Sequence, residues 1–183
     1  LQYMVTKEMI PNVDPRALQD TTEFRREHLY IQDVETILKQ FEVTLRSLFK
    51  CYAKGDGAIG DELDSTKLLS FDEFSEMIKD LKLYESDFSE REVRLSFVWS
   101  RMRVVDEDKY EDKIKLIQLS FEDFLEALVR CSTLKALPDD EQIYDYDCED
   151  AGEFMMHIRA DKDTFNEFVA SSKVPYGARH EET

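Results

Sequence analysis

Apolar residues recur at spacings of three and four along most of this chain, the period of helices buried on one face. Val34, Ile37, Leu38, Phe41, Leu45, Leu48, Phe49 and Tyr52 form one stripe and predict a helix over 34–53. Phe71, Phe74, Met77, Ile78 and Leu81 form a second, on a helix opened by Ser70 and running to about Leu83. Val93, Phe97, Val98, Trp99 and Met102 form a third, and Phe121, Phe124, Leu125, Leu128 and Val129 a fourth, opened by Ser120. Ser70 with Glu73, and Ser89 with Glu92, fit the capping box, in which a hydroxyl and an acid three residues apart satisfy each other's backbone donors. Polar stretches at 54–68 and 103–118 separate the stripes. Upstream, 1–13 reads as an irregular lead-in, and Asp14-Pro15 as the start of a short helix through about Tyr30. After Pro138, 139–150 reads as an acidic linker, followed by short helices near 151–160 and 165–172 and a frayed tail.

The four stripes are related in pairs. Leu-Ser-Phe-Asp-Glu-Phe at 69–74 returns as Leu-Ser-Phe-Glu-Asp-Phe at 119–124, fifty positions later. At the same offset Val43 matches Val93, Leu45 matches Leu95, Leu48 matches Val98, Phe49 matches Trp99 and Ile78 matches Leu128. The pattern predicts a duplicated helix–loop–helix with loops of equal length. Thr164 to Phe168 is a weaker echo and reads better as one more helix capped by a hydroxyl.

On these residues the chain resembles the EF-hand superfamily, the fold of calmodulin-like proteins, over 43–83 and 93–133. The resemblance implies an all-α protein. A paired hand-like lobe at 34–137 would follow an N-terminal helical extension at 1–33. An acidic linker at 138–150 and a small C-terminal helical element with its tail at 151–183 would complete it. It also implies a short two-stranded bridge between Leu68-Leu69 and Gln118-Leu119.

In such hands calcium takes about six to eight oxygens from loop positions 1, 3, 5, 7, 9 and 12, with Gly at 6 for the turn. Registered on the closing string, the resemblance puts Glu73 at position 12 and Ser70 at 9, with Glu62, Asp64 and Thr66 at 1, 3 and 5. Lys67 stands where Gly belongs. Glu62, Asp64, Ser70 and Glu73 are thus the candidate metal ligands, in the first loop only. In the second hand Asp123 falls at position 12, but Ile114 and Leu116 replace the carboxylates at 3 and 5, and Ile117 the Gly. Both loops are also long. Counted from Tyr52, position 8 should fall at residue 60 and falls at Leu69, nine later; Met102 and Leu119 show the same excess. An irregular first-loop site would draw on Asp56, Asp61, Glu62 and Asp64. Asp145, Asp147 and Glu149 have ligand spacing, but without a turn Gly or a closing carboxylate they read as a solvated linker.

Composition narrows the classes. The chain has 183 residues and a net charge of −17, which opposes nucleic acid and anionic membranes and suits cations or basic partner segments. Cys51, Cys131 and Cys148 are far apart, lack a CxxC pair and cannot all pair with one another, so reduced thiols in an intracellular compartment are expected. No apolar run approaches the roughly 18 residues of a membrane helix, and the start carries no secretory signal pattern. Leu1 rather than Met at the first position fits a piece of a longer protein. His28, His157 and His180 form no zinc-type pair, and no GxSxG, GxGxxG or Walker glycine loop occurs, so no enzyme is expected. Most aromatics, Trp99 included, are expected in the core, as are Met77, Met102 and Met155 unless they line a groove for a target helix.

The expected function is therefore a calcium-independent interaction or scaffold module on degenerate hands, without a cofactor, binding a protein partner through a helix or basic segment. The expected location is cytoplasmic, and the resemblance allows a cytoskeletal or ciliary setting. The alternative is a calcium sensor or buffer that uses a non-standard first loop.

Overall fold

The computed structural model of this chain describes residues 2–12, 21–53, 68–101, 108–109 and 116–172. The expected helix start at Asp14-Pro15 and the tail lie outside them, as do 54–67 and most of the second loop. The chain divides into two compact units, 1–40 and 41–183. Among the described residues the structure is helical, with a single isolated bridge.

The first unit opens with a wide π-helical turn, Met4–Met9, and a 3₁₀ turn, Ile10–Asn12. Helix α1, Thr21–Phe24, runs into a π-helical stretch, Arg25–Leu29, that closes where the Tyr30 N–H donates to the Arg25 carbonyl at 2.8 Å. Phe24 is buried, with its ring 5.2 Å from that of His28. Helix α2, Gln32–Gln40, carries Val34, Ile37 and Leu38 but buries none of its residues.

The helix expected over 34–53 is interrupted. Phe41 has φ −101° and ψ 10°, outside the α region, and helix α3, Glu42–Tyr52, begins after it. A spacing rule registers only which residues share a face. It does not register a backbone that leaves the helical basin, and Phe41 sits half exposed at that step.

In the second unit, α4 (Phe71–Asp80), α5 (Glu90–Ser100) and α6 (Phe121–Leu134) join α3 around one core. Phe49, Leu69, Phe74, Met77, Ile78, Phe88, Val93, Phe97, Leu119 and Phe124 are buried in it. Each large apolar side chain buried this way contributes about 1.5–3 kcal/mol. Helix α4 stops at Asp80, short of the expected Leu83, because Lys82 adopts a left-handed conformation (φ 55°) and Leu83 N–H reaches back to the Ile78 carbonyl at 3.1 Å. Tyr52 Oη donates to Asp80 at 2.8 Å and ties the end of α3 to the end of α4.

The acidic stretch after Pro138 is partly helical, where a linker was expected. Helix α7, Asp140–Asp145, is opened by a capping box between Asp139 and Gln142, and acids in a first turn favour the positive end of the helix. Helices α8, Ala151–Ile158, and α9, Lys162–Ser171, follow. Asp161, not Thr164, caps α9: its carboxylate accepts from Thr164 N–H at 3.1 Å and from the Thr164 hydroxyl. Phe154, Met155, Ile158 and Phe168 close a small second core with Ala136.

Candidate functional site

The repeated string folds into two matched corners. Leu69 and Leu119 form an antiparallel bridge, each N–H donating to the other's carbonyl, at 2.9 and 2.8 Å. Both side chains are fully buried. Of the two-stranded bridge that the resemblance implied between Leu68-Leu69 and Gln118-Leu119, this single Leu69–Leu119 pair is present.

One residue later each chain is capped. Glu73 Oε2 accepts from the Ser70 N–H and hydroxyl, both at 2.9 Å, while Ser70 Oγ accepts from Glu73 N–H at 3.4 Å. Asp123 Oδ2 accepts from the Ser120 N–H at 3.1 Å and hydroxyl at 2.9 Å, and Ser120 Oγ from Asp123 N–H at 3.2 Å. Two of the four candidate metal ligands, Ser70 and Glu73, are therefore bonded to each other. The other two, Glu62 and Asp64, lie outside the described residues. Among the described residues no group of three or more His, Cys, Asp or Glu could hold a metal ion. Caps of this kind contribute on the order of 1 kcal/mol each.

The helices ahead of the corners also make aromatic contacts across the pair. Phe49 of α3 packs on Phe121 and Phe124 of α6, with ring centroids 5.5 and 5.4 Å apart. Phe97 of α5 packs on Phe71 and Phe74 of α4, at 5.4 and 5.9 Å. The guanidinium of Arg46 lies 4.2 Å over the Phe121 ring, and that of Arg94 lies 4.2 Å over Phe71. Arg46 pairs with Glu42 and Arg94 with Glu90, each one helical turn away. Each leading helix thus lies against its own closing helix and also sets a Phe against the closing helix of the other half.

Burial corrects the register of the repeat. The closing helices match at an offset of fifty, but the leading helices match at forty-eight. Val43, expected to correspond to Val93, is 81% exposed, whereas Val93 is fully buried. The matching signature is Glu-x-x-Leu/Val-Arg-x-x-Phe, at 42–49 and again at 90–97. It was legible in the sequence and is more specific than the single apolar matches. The loops are accordingly unequal, the second longer by two residues.

A charged joint was not legible. Arg159, just past α8, donates from Nε and Nη2 to the two oxygens of Glu85, in the turn between α4 and α5, at 2.5 and 2.9 Å. Lys135, 7% exposed, meets Glu85 at 2.5 Å and Asp87 at 3.4 Å, and Asp87 also accepts from the Ala136 N–H at 2.8 Å. Burial would raise the Glu85 carboxyl, but the bonds from Arg159 and Lys135 outweigh it and hold Glu85 below the ordinary glutamate range. Its hydrogen bond to Glu85 pushes Arg159 up. A second buried pair, Glu126 with Arg130 on α6, lies one turn apart at 2.8 Å, with Arg130 5.9 Å over the Trp99 ring.

Met77 and Met155 are both buried, so neither lines an open groove; Met102 lies outside the described residues. The exposed methionine of the C-terminal helices is Met156. Cys51 is exposed and Cys131 buried. Burial pushes the Cys131 thiol up to about 12, with the neighbouring Ser96 hydroxyl opposing it. A thiol raised in the folded state contributes stability that is fully present below its ordinary 9.0 and is lost as pH climbs toward 12. Cys51 should react with a maleimide at pH 8 under native conditions, while Cys131 should react only on unfolding, as read by mass spectrometry. Melting temperature should fall above pH 9, and less so in Cys131→Ala.

No protein-family model, curated protein or solved structure matches this chain. Among the described residues no helix is long and apolar enough to cross a membrane.

Proposed function

We propose that this chain is a protein-interaction or scaffold module built on a pair of degenerate EF-hand-like hands, working without calcium and without catalysis inside a larger intracellular assembly. One observation carries it: the acids at the loop ends, Glu73 and Asp123, are bonded into helix caps at the two corners joined by the Leu69–Leu119 bridge. A calcium sensor needs a helix pair that an ion can bias between two states. Here the halves are held by caps, the bridge and Phe packing across the pair, all supplied by the chain itself. The net charge of −17 favours a basic partner segment. A cytoskeletal or ciliary setting belongs to this proposal through the family resemblance alone.

Calorimetric titration of chelator-treated protein with calcium should give no binding heat, and the melting temperature should be the same with calcium or with chelator. Stoichiometric micromolar binding that disappears in Glu73→Gln would overturn the proposal in favour of a sensor or buffer using Glu62, Asp64, Ser70 and Glu73. Gln retains the capping box, so the variant removes the ligand charge and leaves the helix start in place.

A further inference from the structure

We propose that the helical pair α8–α9 is a releasable arm, held to the rest of its unit by an ionic latch in which Arg159 grips Glu85. The second unit has two distinct apolar clusters. One is the large core of α3 to α6. The other is the small core of α7 to α9, which also takes in Ala136, the second residue past α6. The charged joint lies where the clusters meet.

Its members divide by position in the chain. Lys135 and Ala136 directly follow α6, and their bonds to Glu85 and Asp87 set where the chain leaves the large core. Arg159 comes after α8 and returns across 74 positions to the same carboxylate. A guanidinium held at two points by one carboxylate is directional, and it depends on the planar fork as well as the charge. The pair is only partly covered, Arg159 being about a third exposed, so its rupture does not strand a charge in a dry interior. With Arg159 withdrawn, Glu85 keeps Lys135 as its counter-ion and the large core keeps its caps, bridge and aromatic packing. The arm then keeps only the small apolar contacts it shares with Ala136 and α7, among them Tyr146 against Phe154. Local opening of this kind is set by few buried apolar contacts around one directional anchor.

Hydrogen exchange read by mass spectrometry on the full chain tests this. In Arg159→Gln, amides of 151–171 should exchange about tenfold faster or more while those of α4 and α6 stay within about twofold of the parent. Arg159→Lys keeps the charge and loses the fork, and should fall between parent and Arg159→Gln. Unchanged protection at 151–171 in Arg159→Gln would overturn the latch. So would equal acceleration in α4 and α6, or failure of that variant to fold, since either makes the arm inseparable from the large core.

Discussion

Phe124→Ala should lower the unfolding free energy of the second unit by about 3–5 kcal/mol in urea titrations. Phe124 is fully buried, with Phe49 and Phe121 against it, so truncation forfeits both its transfer from water and its contacts with rings that cannot close the gap. Phe74→Ala should cost a similar amount, because Phe74 meets Phe97 in the equivalent place across the pair. Against a typical total stability of about 5–15 kcal/mol, either loss brings the fold near its limit. Val43→Ala supplies the contrast. Although the repeat pairs it with a core position, it is exposed and should cost no more than about 0.5 kcal/mol. A loss at Val43 equal to that at Phe124 would contradict the aromatic packing across the pair.

Asp87→Ala should cost about 2–4 kcal/mol, for a different physical reason. Asp87 is nearly enclosed and serves two donors at once, the Lys135 ammonium and the Ala136 N–H. Without it the amide loses its acceptor and Lys135 keeps a single carboxylate for its charge. Lys135→Met added to Asp87→Ala should cost less than it does alone, because its ion pair with Asp87 is already gone and only that with Glu85 is left to lose. A double-mutant cycle measured by thermal and urea unfolding should give a coupling of at least about 1 kcal/mol. Strict additivity would mean that Asp87 acts through Ala136 alone. Asp87→Ala is expected to weaken the whole unit, whereas Arg159→Gln is expected to loosen the arm only.

The candidate site shows where local inference stops. Ser70, Glu73, Ser120 and Asp123 were legible as corner residues, because each pair lies three positions apart and a cap is settled within one helical turn. Both acids turn back on the serines of their own helices, a local outcome that the Ser70–Glu73 spacing already predicted. The pairing of Phe49 with α6 and of Phe97 with α4 has no local signature, although the Glu-x-x-Leu/Val-Arg-x-x-Phe signature marked the two leading helices as equivalent.

By itself the sequence determined that the described residues are helical and where α4, α5 and α6 begin; the Leu69–Leu119 pairing was implied by the family resemblance. Helical period and capping act over a few residues. Only the tertiary structure decided that Val43 faces water while Val93 is buried, that the stripe from Val34 to Tyr52 is broken at Phe41, and that Glu85 is bound by Lys135 and Arg159. A helix face is buried only if another element covers it. A charge finds its counter-ion through space, and here the two lie 50 and 74 positions apart along the chain.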